Sequence, residues 1–145
     1  MPTAQINVLA GHPRAALRQA LANVSAAMST ALEATPDRLA VWINEVDPAL
    51  WMVNGRTAEE ALVSWPRTEI EMPFVHVSVL EGRPTHVMMH LVREITEGVA
   101  HALGSKPERV RVVVHTVDPD VWGIGGVPAS VLRAEELAAR ARVAR

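Results

Sequence analysis

The chain repeats itself at an offset of 71 residues, without a gap. Of the 57 positions from 2 to 58, 16 carry the same residue as the position 71 further on, so the chain holds two copies of one unit. Each copy opens with a proline, at Pro2 and Pro73. A unit of about 60 residues buries too little surface to be stable alone, so the two copies are expected to fold together.

Each copy has the pattern strand, helix, strand and then a glycine-bearing turn. In the first strand Ala4, Ile6 and Val8 alternate with polar residues, which is typical of a strand packed on one face. Apolar residues then recur at a 4-3-4-3 spacing between Leu17 and Ala31, as in an amphipathic helix. Two strands joined by such a helix should pair in parallel. The sequence therefore predicts a two-layer α/β (α+β) fold, with tandem β-α-β units forming a four-stranded sheet under two helices.

The face of the predicted sheet that lies opposite the helices is too apolar to be left in water. It carries Ala40, Trp42, Phe74 and Val113. An apolar patch of that size usually marks an interface. Further copies of the same chain are the simplest cover, so we expect a homo-oligomer.

The repeat also predicts where the units begin and end. Between them, Thr57 and Glu60 form a capping-box pattern, which predicts a short helix that runs to Trp65 and is ended by Pro66. The expected segments are a first unit at 1–59, a linker at 60–72, a second unit at 73–130 and a C-terminal helical tail at 131–145.

The composition of the chain limits its expected cellular location and the classes of partner that it could bind. There is no cysteine, so disulfides and thiolate chemistry are excluded and a reducing cytoplasm is the expected location. The start resembles no signal peptide, and no apolar run is long enough to span a membrane. The net charge of −2 is far from that of a nucleic-acid binder. We therefore expect neither a membrane nor a nucleic acid as partner.

The second copy carries a set of segments that resembles 4-oxalocrotonate tautomerase, also called 2-hydroxymuconate tautomerase. These segments are residues 73–83, 110–114, 122–126 and 128–130, in matching order and spacing. The similarity spans about residues 73–133, and the first copy is similar more loosely over 2–59. The chain thus resembles a fused, two-copy member of the tautomerase superfamily.

The resemblance implies a set of site residues. The catalytic base is an N-terminal proline exposed by removal of the initiator methionine, and it falls on Pro2. Two arginines of the family fall on Arg83 and Arg111 in the second copy, whereas the first copy has His12 and Ala40 there. The remaining implied substrate-binding residues form pairs between the two copies: Leu9 and Leu80, Trp51 and Trp122, and His12 in the place of Arg83.

The two copies thus divide the expected site between them, because one has the amine and the other has the arginines. In this family sites form where subunits meet, so the division is compatible with function. A small carboxylate substrate and a trimer of fused chains are what the resemblance implies. Proton transfer of this kind needs neither a metal nor an organic cofactor. The pair His86 and His90 lacks the further ligands of a zinc motif, so no metal site is expected.

Two other functions stay open at the level of sequence. The first is hydration or dehalogenation of an unsaturated acid, with Pro2 protonated and a carboxylate such as Glu45, Glu81 or Asp118 activating water. The second is a non-catalytic oligomeric scaffold. Retention of Met1 would favour the scaffold, because Pro2 would then be an amide like Pro73.

Overall fold

The computed structural model describes residues 1–144. The long elements of the first unit are β1 (Thr3–Leu9), α1 (Arg14–Leu32) and β2 (Ala40–Val46), and those of the second are β5 (Phe74–Leu80), α4 (Thr85–Leu103) and β6 (Arg111–Val117). Shorter elements follow each unit: β3 (Met52–Val53), β4 (Arg56–Thr57), α2 (Ala58–Ala61) and α3 (Arg67–Ile70), then β7 (Gly123–Ile124), β8 (Val127–Pro128), α5 (Ala129–Leu132) and α6 (Ala134–Val143).

The four long strands form one mixed sheet in the order β2-β1-β5-β6. Within each unit the two strands are parallel, as the crossover helix requires. The two units meet through β1 and β5, which run antiparallel. The predicted fold class, a four-stranded sheet built from tandem β-α-β units, is confirmed.

The register between β1 and β5 makes the two units equivalent by an approximate twofold rotation. Thr3 pairs with Ser78 and Asn7 pairs with Phe74, and an offset of 71 turns each of these pairs into the other. Because the strands are antiparallel, the start of each copy lies beside the end of the other copy's first strand. Pro2 therefore lies near the end of β5, and the start of β5 lies near the end of β1.

The core lies between the sheet and the two helices. The inward residues of β1 and β5, which include Ile6 and Val77, are fully buried against Val24 of α1 and Ile95 of α4. Burying an aliphatic side chain of this size stabilises the fold by roughly 1.5–3 kcal/mol. The alternation and helical periodicity in the sequence correctly predicted which faces meet, and α1 and α4 pack side by side over the sheet.

The opposite face of the sheet is uncovered in the single chain. Trp42 is 43% exposed and Val113 is 36% exposed. His76 and His115 stack on this face, with ring centroids 5.6 Å apart and ring planes at 4°. This surface, which we call the open face, has the apolar and aromatic character expected of an interface.

The linker differs from its prediction. Thr57 and Glu60 do form a capping box, but α2 ends at Ala61 and does not reach Trp65. Pro66 precedes the next helical turn, α3, instead of ending the first. A proline is well tolerated at the start of a helix because its missing N–H would have no partner there.

Across residues 1–144 there is no helix long and apolar enough to cross a membrane.

Candidate active site

A cavity of about 540 Å³ opens at the Pro2 end of the sheet. Pro2 itself is buried. Leu80, at the end of β5, and Arg83, in the loop that follows it, line the same cavity. The rest of the wall comes from the C-terminal turn of α1, the segment before β2, the residue just before α6, and α6 itself: Leu32, Glu33, Ala34, Thr35, Asp37, Arg38, Arg133, Glu136 and Arg140, with Met1 at the N-terminus.

The amino terminus lies in a positively charged part of this cavity. Partial burial lowers the pKa of the Met1 amino group below its usual value of 8.0, and the nearby guanidinium groups of Arg133, Arg83 and Arg38 lower it further. Glu136 acts in the opposite direction. Both the burial and the net positive charge favour the neutral form of an amine in this cavity.

Arg83 belongs to the second copy but lies in the Pro2 cavity of the same chain. Its Nη1 donates to the backbone carbonyl of Leu80 at 3.3 Å, which holds the side chain against the end of β5. Burial lowers the pKa of Arg83 to about 10, and the positive charge of Arg140 adds to this effect. The antiparallel pairing of the units thus brings together the proline of one copy and the arginine of the other.

Most of the cavity wall was missed by sequence reasoning, including the charged residues Arg38, Arg133, Glu136 and Arg140. Arg38 forms an ion pair with Glu136, and Nε of Arg133 lies 3.8 Å from Oε2 of the same carboxylate. Two features of the sequence could have identified these residues. Arg38 recurs as Arg109 in the second copy, and residues 133, 136 and 140 share one face of a helix by their spacing.

The equivalent place at the other end of the sheet is filled by protein. Glu71 is only 2% exposed and lies two residues before Pro73, which is also buried. Nε2 of His12 donates to Oε1 of Glu71 at 2.7 Å, and the backbone N–H of Leu9 donates to Oε2 at 2.7 Å. His12, which stands where the second copy has Arg83, therefore binds a carboxylate of its own chain.

Two arginines complete this filled end, which we call the plugged end. Arg67 donates to the carbonyls of Leu9 and Ala10 at 3.2 and 2.7 Å. Arg109 donates to the carbonyls of Ile70 and Glu71 at 3.1 and 3.0 Å. At the Pro73 end, the linker thus fills the volume that corresponds to the open cavity at the Pro2 end.

The remaining predicted residues divide between the two ends. Arg111 lies at the Pro73 end, where its backbone N–H donates to the carbonyl of Pro73 at 2.9 Å, and its exposed side chain does not line the Pro2 cavity. Leu9 is buried in a small second core, against which Trp51 packs. Trp122 is half-buried and accepts a hydrogen bond at its carbonyl from Ala129, at the start of α5.

The carboxylates considered for water activation lie elsewhere. Glu45, Glu81 and Asp118 are exposed, and the described lining of the Pro2 cavity includes none of them. Its acidic members are Glu33 and Asp37 near the rim and the ion-paired Glu136.

Comparison with known proteins identifies the family of the chain. A family model described as a tautomerase enzyme matches residues 73–131. The 2-hydroxymuconate tautomerase of Pseudomonas putida is 39% identical over 61 residues, which are 42% of this chain and 97% of that protein. The 2-hydroxymuconate tautomerase of Comamonas testosteroni is 36% identical over 61 residues, again 97% of its length. The chain belongs to the tautomerase family of enzymes, as the sequence predicted.

Several solved structures have the same two-unit fold. A native fused 4-OT (4-oxalocrotonate tautomerase) aligns with a TM-score of 0.79 at 22% identity and covers 90% of this chain and 98% of that one. A fused 4-OT described as a symmetric trimer aligns with a TM-score of 0.77 at 21% identity, with the same coverage. A malonate semialdehyde decarboxylase has a TM-score of 0.69 at 18% identity and covers 92% of this chain and 96% of that one.

Proposed function

We propose that this chain catalyses keto–enol or double-bond tautomerisation of a small unsaturated 2-hydroxy or 2-oxo acid, with the amine of Pro2 as general base. The proposal rests on a single observation, namely that Pro2 and Arg83 line the same cavity of one chain. The family and its 2-hydroxymuconate tautomerase relatives support the same type of reaction.

The amine of Pro2 becomes available when Met1 is removed. It would then lie in the cavity where burial and three arginines already lower the pKa of the terminal amino group. A neutral secondary amine can take a proton from the substrate hydroxyl or from a carbon next to its carbonyl. The resulting ammonium returns that proton to a carbon one or two double bonds away, which gives a 1,3 or 1,5 transfer.

The arginines supply the electrostatic part of the reaction. A guanidinium fork holds a carboxylate by two parallel hydrogen bonds, and Arg83 is placed to do so beside Pro2. A second guanidinium would stabilise the negative charge that grows on the carbonyl oxygen. Arg111 is exposed at the far end of the same chain, so we propose that it serves the Pro2 cavity of a neighbouring chain.

This division requires an assembly, and we propose a trimer. The open face supports a trimer, because a subunit interface there would bury the exposed apolar side chains of Trp42 and Val113. A structural neighbour with the same two-unit fold is described as a trimer. In such an assembly each chain would contribute one active Pro2 cavity and one plugged end.

The paired prolines provide the test of the proposed base. Intact mass should show a chain that lacks Met1. Pro2→Ala should then lower kcat for 2-hydroxymuconate by about 10²–10⁴-fold, the usual contribution of a positioned general base. Pro73→Ala removes the equivalent ring from an amide, so kcat should stay within about threefold of the wild type.

Other outcomes would point to other functions. Turnover of 2-hydroxymuconate or phenylenolpyruvate that is unchanged in Pro2→Ala would rule out the amine as base. Release of halide from a 3-haloacrylate, without turnover of either enol acid, would replace tautomerisation by dehalogenation. Retention of Met1 in the active protein would exclude the mechanism outright, because an amide nitrogen cannot accept the proton.

A further inference from the structure

Helix α6 lies outside the residues that the family model matches and yet forms part of the cavity wall. Glu136 and Arg140 are four residues apart and so project from one side of the helix, and Arg133 immediately precedes its first residue. All three line the cavity that contains Pro2. The C-terminal tail is therefore placed to act on whatever binds there.

The charges on this wall are not balanced. Glu136 is shared between Arg38 and Arg133 through its two ion pairs. Arg83 and Arg140 form no ion pair of this kind. Arg83 donates only to the backbone carbonyl of Leu80, at the end of β5, and Glu136 only partly offsets the effect of Arg140 on its pKa. The buried Nη1 of Arg140 has no hydrogen-bond partner, and it is the only buried side-chain nitrogen or oxygen of residues 1–144 in that condition.

Two guanidinium groups that line one partly buried cavity and have no ion-pair partner form an unfavourable arrangement. They repel each other, which is why Arg140 contributes to the lowered pKa of Arg83. A buried donor without an acceptor also costs free energy. An anion between them would relieve both penalties, because one carboxylate can accept hydrogen bonds from two guanidinium groups. Within residues 1–144, neither Glu33 nor Asp37, which also line the cavity, forms an ion pair with Arg83 or Arg140.

We propose that Arg140 joins Arg83 to bind a carboxylate group of the substrate, so that the C-terminal helix is part of the active site. This inference rests on the proposed function for the identity of the ligand but not for the existence of the anion site. Arg140 is thus a substrate-binding residue that lies beyond residues 73–131, which the family model matches.

The binding test compares two arginines of the same helix. Arg140→Gln removes the guanidinium from the cavity. Arg142→Gln removes an equal charge from an exposed position two residues further along the helix. Titration calorimetry with muconate, an unreactive dicarboxylate, should show an affinity about 10–100-fold weaker for Arg140→Gln, the range expected for lost charge-assisted hydrogen bonds. Arg142→Gln should bind muconate within about twofold of the wild type.

The kinetic test uses 2-hydroxymuconate. Because Arg140 binds the substrate and does not transfer the proton, Arg140→Gln should raise KM by about 10–100-fold and leave kcat within about threefold. Equal muconate affinity and equal KM in the wild type and Arg140→Gln would overturn the inference while leaving the proposed function intact. Absence of turnover in the wild type, with muconate binding that still depends on Arg140, would overturn the proposed function and support the anion site.

Discussion

At the scale of single residues, the charged groups that line the cavity differ in their effect on the amino terminus. After burial, Arg133 has the largest effect in lowering the pKa of the Met1 amino group, ahead of Arg83 and Arg38. Unlike Arg83, it is already paired with a carboxylate of its own helix, so it is less suited to bind a substrate. We therefore interpret Arg133 as a residue that adjusts the basicity of the amine.

This role predicts a shift in the pH dependence of turnover. The free amine is the active form, so kcat/KM should fall as the pH drops through the pKa of the amine. Arg133→Gln removes a positive neighbour and leaves Glu136 less neutralised, and both changes favour the protonated amine. The pKa of the amine should therefore rise, and the acidic limb of the profile of kcat/KM against pH should move to higher pH.

The control for this profile is Arg142→Gln, which changes the net charge equally from an exposed position. Its acidic limb should coincide with that of the wild type. A limb that stays in place in Arg133→Gln, or that moves to lower pH, would contradict the role given to Arg133.

At the scale of elements, the two ends of the sheet differ in the position of the segment that follows each unit. After the first unit, α3 and the residues up to Pro73 fold back and place Glu71 under the end of β1. After the second unit, α6 lies beside the open cavity and leaves its centre free. The repeat is thus symmetric in its strands and helices but asymmetric in its two connecting segments.

The plugged end should contribute to stability rather than to turnover. Glu71→Ala would leave the N–H of Leu9 and the Nε2 of His12 without their buried acceptor. Loss of one partner from a buried polar network of this kind should lower the free energy of unfolding by about 3 kcal/mol. Urea denaturation at a fixed protein concentration measures this change.

Glu69→Ala is the matched control, because Glu69 lies in the same segment and pairs with Lys106 at the surface. It should leave the denaturation midpoint close to that of the wild type, since surface ion pairs contribute little. If both variants unfold at the wild-type midpoint, the network around Glu71 is not a stabilising element.

The sequence predicted the sheet and the helices well because periodicity reports directly on which faces are buried. The pairing of Pro2 with Arg83 could not be read in the same way, since it depends on the antiparallel contact between β1 and β5. The linker was predicted poorly because a capping box marks where a helix starts and says little about its end. Arg140 was missed because an arginine in an Ala-, Arg- and Glu-rich tail has the composition of an exposed helix, and only the packing of α6 distinguishes it from Arg142.

At the scale of the whole molecule, the structure separates two kinds of arginine. Arg83 lies in the Pro2 cavity of its own chain. Arg111 lies at the opposite end of the sheet, on an exposed strand start beside Pro73. If Arg111 takes part in catalysis, it must do so in another chain, and mixed assemblies can tell these two situations apart.

The last prediction concerns such mixtures. Pro2→Ala and Arg111→Gln should each be nearly inactive alone. When the two variants are co-expressed, some sites combine the intact Pro2 of one chain with the intact Arg111 of its neighbour. In a symmetric trimer with random mixing, about a quarter of the sites should be complete, so about a quarter of the wild-type rate should return.

The matched mixture replaces Arg111→Gln by Arg83→Gln. Because Pro2 and Arg83 act within one chain, no arrangement of Pro2→Ala and Arg83→Gln chains contains a complete site, and this mixture should show no more activity than the two variants assayed separately. Recovery in the second mixture would mean that Arg83 also acts between chains. A lack of recovery in the first, with mixed assemblies verified by native mass spectrometry, would place Arg111 outside the active site and leave the stabilisation of the growing oxyanion to the arginines of the Pro2 cavity.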